Sequence, residues 1–165
     1  MLNLILAVDR NYAIGNKNNL LYSFKRDLDR FKELTLNTKI VMGYNTWKSL
    51  PFKLKDREHV VITKTHLDES GPDVIIDNID EVLKLSDTED IWIIGGAKIY
   101  EQFIPYADNI ELTFIEATVD EYDVDMPYME KILGGFELYK TEPHLEKDRI
   151  SGEMIKIEFR TYRKK

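Results

Sequence analysis

Asp27 stands three residues after Phe24 and four before Phe31, in a stretch over residues 23 to 35 whose apolar residues recur at helical spacing. At about 100° per residue, Phe24, Leu28, Phe31, Leu34 and Thr35 share one stripe, and Lys25, Arg26, Asp29, Arg30, Lys32 and Glu33 point away from its centre. Asp27 falls on the apolar side. A buried, unpaired carboxylate is costly or changes its protonation state, so this one needs a partner. Either a nearby hydroxyl or backbone N–H holds it for structure, or it grips a polar, nitrogen-rich ligand ring. Two other places could do chemistry: "IVMGYNTW" and "WIIGGAKIY" each run strand, glycine, helix. Gly43, Gly95 and Gly96 would let a backbone turn sharply and a ligand come close, and the helix that follows offers unpaired N–H groups to a phosphate. Glycine at such a turn also serves geometry alone. "GGAKIY" is not the GxGxxG fingerprint, so two phosphate seats here would suit a dinucleotide bound by another fold.

The elements that must position these residues alternate along the chain. Strands are expected at 3–8, 39–43, 59–63, 73–77, 91–96 and 109–119, with helices at 23–35, 44–50, 79–86 and 97–104, and a loop up to Asn19. Pro51 and Pro105 close two of the helices. After Pro127 the pattern becomes two strands, 136–146 and 152–162, around the turn-rich "KDRISG". The reading is one α/β domain over residues 1–165, with a mainly parallel central sheet, flanking helices and a C-terminal antiparallel hairpin. Ligands of such sheets sit beyond the carboxyl ends of the strands, where the glycine junctions lie.

Composition narrows the function classes. A net charge of −7 argues against a general nucleic-acid binder, which needs clustered Lys and Arg. No stretch approaches the length of a membrane span, and no leader pattern precedes the first strand, so membrane insertion and secretion are not expected. The absence of cysteine excludes thiolate metal sites and disulfides and fits a reducing compartment. His59, His66 and His144 stand far apart, and no metal is expected.

The blocks "AVDRNYAIGNKNNLLY", "RDLDRFKELT", "IVMGYNTWKSLP", "WIIGGAKIYEQFIPYAD" and "ELTFIEA" stand in an order and spacing that resembles dihydrofolate reductase over nearly the whole chain. The resemblance implies NADPH-dependent reduction of 7,8-dihydrofolate, with hydride reaching pterin C6 and a proton reaching N5. Asp27 matches that family's active-site carboxylate, which bonds the pterin 2-amino group and N3, and Thr113 matches the hydroxyl that bonds the carboxylate. Ile5, Ala7, Ile14 and Ile94 match positions around the two rings; Leu28, Phe31, Leu50 and Leu54 match those lining the pterin and aminobenzoyl groups; Arg57 matches the clamp on the glutamate carboxylate. Gly95 and Gly96 match a glycine pair joined by a cis peptide, where the nicotinamide and pyrophosphate pass the strand end. Gly15, Gly43, Tyr44, Asn45, Thr46, Ala97, Lys98, Ile99, Tyr100 and Gln102 match further cofactor positions, and Thr63, Lys64 and Lys98 are the groups left for a 2′-phosphate.

The chain departs from the family pattern at the flexible loop. Leu20 stands where methionine is frequent, and Leu21 and Tyr22 stand where proline followed by tryptophan is common. The Tyr22 hydroxyl can still join a water network, and Leu20 and Tyr22 are counted with Asp27 as catalytic-site positions. Basic residues common in the family are replaced by Tyr44 and Asn45. Dihydrofolate and antifolate inhibitors are the expected small-molecule partners, and the protein is expected to be a cytoplasmic monomer. Two alternatives share parts of this pattern: a same-fold reductase of the riboflavin pathway, and a noncatalytic nucleotide- or folate-binding module.

Overall fold

Unbroken apolar runs become parallel strands buried on both faces, and alternating runs become the antiparallel hairpin. The structure, a computed structural model, describes residues 1–64 and 71–165. The backbone falls into two compact units, one of Met1–Leu4 with Thr35–Asp108, the other of Ile5–Leu34 with Asn109–Lys165. Strand β1 (Leu2–Asp9) contributes residues to both.

In the first unit, β3 (Lys39–Gly43), β4 (Glu58–Ile62), β5 (Val74–Ile76) and β6 (Ile91–Gly95) join the start of β1 in the order β5-β4-β3-β6-β1. All four pairings are parallel. Ile40, Val41, Met42, Val60, Val61, Ile91 and Ile93 are buried, so these strands carry their hydrophobic run without alternation. Helices α2 (Tyr44–Ser49), α3 (Asp80–Ser86) and α4 (Ala97–Phe103) accompany them. Helix α4 ends one residue earlier than the pattern suggests, because Ile104–Tyr106 tightens into a 3-10 turn around Pro105.

In the second unit, α1 (Lys25–Thr35) is found with β7 (Asn109–Ile115), β9 (Phe136–Lys147) and β10 (Met154–Lys164), and β10 pairs antiparallel with both other strands. Ile155, Ile157 and Phe159 alternate inward and cluster with Phe24 and Ile115. Strand β7 stops at Ile115 rather than running to residue 119, because the Ala117 N–H turns back to the Ile115 carbonyl and the Ala117 carbonyl accepts from Arg10. Three short elements escape the sequence pattern: β2 (Ala13–Gly15), within the expected loop, its partner β8 (Val124–Asp125), and α5 (Met129–Leu133). Among the described residues no helix is long and apolar enough to cross a membrane, and no group of three His, Asp or Glu side chains could hold a metal. His66 lies outside the described residues.

Candidate functional site

Asp27 lies in the first turn of α1, and Thr113 on β7 donates its hydroxyl to the Asp27 Oδ1 at 2.6 Å. Thr113 is buried and Asp27 half-buried, so the bond is partly sheltered from water. Burial raises the Asp27 pKa above the ordinary carboxylate value, opposed by the Thr113 hydrogen bond and the nearby charge of Arg30. Alternation along β7 puts Glu111 on the same face as Thr113. There Glu111 accepts from the Arg30 guanidinium and, at 2.8 Å, from the Thr161 hydroxyl. Arg30 also lies over the Phe159 ring, 4.6 Å from its centroid. It therefore does not point away from the apolar stripe: its stem packs on Phe159 while Glu111 compensates its charge.

The stripe itself is unevenly covered. Phe24 and Thr35 are buried and Phe31 is half-buried, but Leu28 is 40% exposed and open beside the carboxylate. Ile5 is buried, and Ala7, Ile14 and Gly15 are half-buried. Leu20 is 65% exposed. The Tyr22 hydroxyl donates a hydrogen bond to Asp9 Oδ2 at 2.9 Å. Asp9 is fully buried, and its Oδ1 also accepts the N–H groups of Asn11 and Ala13. Sequence reasoning passed over Asp9; a carboxylate ending a buried strand just ahead of a loop is the signal that could have found it.

In the first unit the two glycine junctions meet. Strands β3 and β6 are parallel neighbours, so both carboxyl ends lie on one edge, and a Cβ on Gly43 would come within 3.1 Å of Ile99 and 4.0 Å of the Gly95 carbonyl. The Gly95–Gly96 peptide is cis, and Gly95 has φ +125°, a conformation that side-chain-bearing residues avoid. Buried Tyr100 reaches beneath it, its hydroxyl 3.3 Å from where a Gly95 Cβ would stand. A Cβ on Gly96 would lie 3.7 Å from the Thr46 hydroxyl. Among the described residues no side chain caps the first turn of α2 or α4, so the N–H groups near Tyr44, Asn45, Thr46, Ala97 and Lys98 are suited to an anion. This bare, donor-rich edge fits a phosphate-bearing cofactor.

The remaining positions are spread around that edge. The Thr63 N–H bonds the Ile76 carbonyl, Lys64 and Lys98 are exposed, and the Gln102 side chain donates to the Lys98 carbonyl at 3.2 Å. A cation that sequence reasoning missed, Lys48, lies over the Tyr44 ring at 4.6 Å, one turn along α2. Ile94, Leu50 and Leu54 are half-buried. Arg57 donates from Nε to the Lys55 carbonyl at 2.9 Å and from Nη1 to the Thr35 hydroxyl at 3.4 Å.

A family model described as dihydrofolate reductase matches residues 1–164. The dihydrofolate reductase of Bacillus subtilis is 30% identical over 166 aligned residues, covering 100% of this chain and 95% of the relative. That of Ureaplasma parvum is 36% identical, covering 86% of this chain and 90% of its own length. Among solved structures, dihydrofolate reductase from Enterococcus faecalis, complexed with NADP(H) and RAB-propyl, superposes with a TM-score of 0.84 over 99% of this chain and 96% of that one, at 23% identity.

Proposed function

The chain belongs to the dihydrofolate reductase family, and from that premise we propose that it reduces 7,8-dihydrofolate to tetrahydrofolate with NADPH, feeding one-carbon metabolism. The observation that carries this reading is the Asp27–Thr113 hydrogen bond, its donor buried and its carboxylate half-buried on the apolar stripe of α1. A half-buried carboxylate that accepts one hydroxyl at Oδ1 keeps lone pairs on both oxygens for two adjacent N–H donors, the pattern a 2-aminopterin presents. Asp27 thereby orients the pterin and holds negative charge at its N3 edge, which favours protonation elsewhere on the ring. In the second unit Ile5, Leu28 and Phe31, and in the first unit Leu50 and Leu54, are the apolar groups assigned to the pterin and aminobenzoyl rings, and Arg57 of the first unit is assigned to the glutamate carboxylate.

Gly43, Gly95 and Gly96, with the amides opening α2 and α4, would hold the cofactor's pyrophosphate; Thr46 lies beside them, and Lys48, Thr63, Lys64 and Lys98 are the groups suited to a 2′-phosphate. Bound NADPH supplies the hydride. In the second unit Ala7, Ile14 and Gly15, and in the first Ile94, Ile99 and Tyr100, are the groups assigned to the nicotinamide, and Gln102 braces α4 through its bond to Lys98. Leu20 and Tyr22 belong to the segment that covers the substrate, with Tyr22 held by Asp9. Residues 1–165 work as one domain, a reading supported by a family match that runs over residues 1–164. Monomeric, cytoplasmic action and sensitivity to antifolates complete the proposal; a chain without cysteine suits the reducing compartment.

The test is nicotinamide absorbance on mixing the protein with NADPH and dihydrofolate. Dihydrofolate-dependent oxidation is the expected result. A folded protein that binds NADPH yet shows no turnover would return the choice to a binding module or another reductase substrate.

A further inference from the structure

His59 at the start of β4 is fully buried, and both of its ring nitrogens are committed to the loop that precedes it. The Leu54 N–H donates to Nε2 at 3.0 Å, and Nδ1 lies 3.1 Å from the Arg57 carbonyl. An amide can only donate and a carbonyl can only accept, so the ring is neutral, with its proton on Nδ1. One imidazole thus bridges the two ends of the 54–57 turn. Asp73 fixes the ring's own backbone, accepting the His59 N–H at 2.7 Å while the Lys53 ammonium holds the same carboxylate at 2.7 Å. The edge of Trp47 meets the ring at 5.7 Å between centroids. The turn is tight, with Asp56 at φ +62°, and the Asn37 N–H donates to the Asp56 carbonyl at 2.7 Å.

We propose that His59 is a positioning residue that sets substrate affinity at the glutamate end, by fixing the backbone from which Arg57 projects. The proposal rests on the reading of Arg57 as the group that binds the glutamate carboxylate. Bidentate recognition of a carboxylate depends on the guanidinium's placement, so loosening its backbone should weaken that contact far more than the less directional apolar contact of Leu54 on the same turn.

The experiment compares dihydrofolate with dihydropteroate, which lacks the glutamate, in the wild type and in His59→Phe and His59→Asn. His59→Phe keeps the aromatic contact with Trp47 and removes both hydrogen bonds; His59→Asn keeps a donor near the Nδ1 position. The expected result is a KM for dihydrofolate raised roughly tenfold in His59→Phe and less in His59→Asn, with a clearly smaller rise in the KM for dihydropteroate, which keeps the Leu54 contact but has no glutamate for Arg57. Equal losses on the two substrates, or no change on either, in whichever variant folds with the wild-type circular dichroism spectrum, would overturn the proposal. A wild type that turns over neither substrate would overturn the reductase reading and this proposal with it, whereas an active wild type with parallel losses overturns this proposal alone.

Discussion

Thr113 and Asp27 are separated by 86 residues in the chain and by 2.6 Å between Oγ1 and Oδ1. The donor is a hydroxyl on a strand, rigid at χ1, and the acceptor sits in a helix's first turn, so the pair fixes one carboxylate oxygen and orients the other. Thr113→Val keeps the shape and removes the donor. Hydrogen bonds to charged groups contribute about 1.5–3 kcal/mol, so kcat/KM for dihydrofolate should fall roughly ten- to a hundredfold. The same change removes an interaction that lowers the Asp27 pKa, so the acidic limb of the pH–rate profile should move to higher pH. A limb that stays in place would show that the hydroxyl does not act on the ionised form.

Asp27 gives a second test through stability. Its folded-state pKa is raised by burial above the ordinary 3.8, so the fold prefers the protonated acid. That contribution is fully present below the unfolded value and is lost as pH rises through the folded one. Asp27→Asn should therefore be more thermally stable than the wild type at neutral pH, with the difference closing as pH falls toward the carboxylate range. Turnover should drop by roughly two to three orders of magnitude, the usual span for losing one group that stabilises charge developing on the substrate. Thermal melts across pH, run beside steady-state assays, separate the two effects. Equal melting temperatures at neutral pH would mean that Asp27 ionises without cost.

Gly95 and Gly96 are neighbours with different requirements. Gly95 has φ +125°, so Gly95→Ala should cost about 1–3 kcal/mol of stability whatever space is available. Gly96 has φ −85° and ψ −156°, which any residue adopts, and its nearest atom to an added Cβ is the Thr46 hydroxyl at 3.7 Å. Gly96→Ala should leave the urea midpoint within about 0.5 kcal/mol of the wild type yet weaken NADPH binding by at least about tenfold. Urea denaturation and a cofactor fluorescence titration read the two quantities independently. If Gly96→Ala bound NADPH normally, the bare edge would not be the cofactor's seat.

What could be seen in the sequence follows from the range of the forces involved. Apolar runs such as "IVM" and "IWII" marked parallel strands because burial on both faces removes alternation, and Asp27 stood out because a helix's period exposes a carboxylate placed among hydrophobes. Arg30 was misplaced for the same local reason: periodicity assigns a face, but it cannot see Glu111, 81 residues away, drawing the side chain back over Phe159. Asp9 and His59 stayed hidden because their partners are mostly backbone groups of loops, which leave no side-chain pattern to read. β2, β8 and α5 are simply too short to show a period.

Asp148 repeats that lesson at the hairpin turn. Its carboxylate is buried and accepts the N–H groups of Ser23, Ile150 and Ser151 and the Ser151 hydroxyl, so it ties the β9–β10 turn to Ser23, two residues ahead of α1. Burial alone would raise its pKa, but these donors outweigh it and hold the acid below the ordinary 3.8. The sign is opposite to that of Asp27: the stability Asp148 contributes is present above the unfolded pKa and is lost as pH falls through the folded one. Asp148→Ala should cost about 3 kcal/mol near neutrality, since several sheltered N–H groups lose a charged acceptor together. The penalty should shrink in acid, where the wild type has lost the same interactions. Because Ser23 leads into the helix that carries Asp27, hydrogen exchange at the start of α1 should quicken in the variant. Protection there equal to the wild type's would mean that the helix start is held by Phe24 and the hydrophobic cluster around it, and that Asp148 serves the hairpin alone.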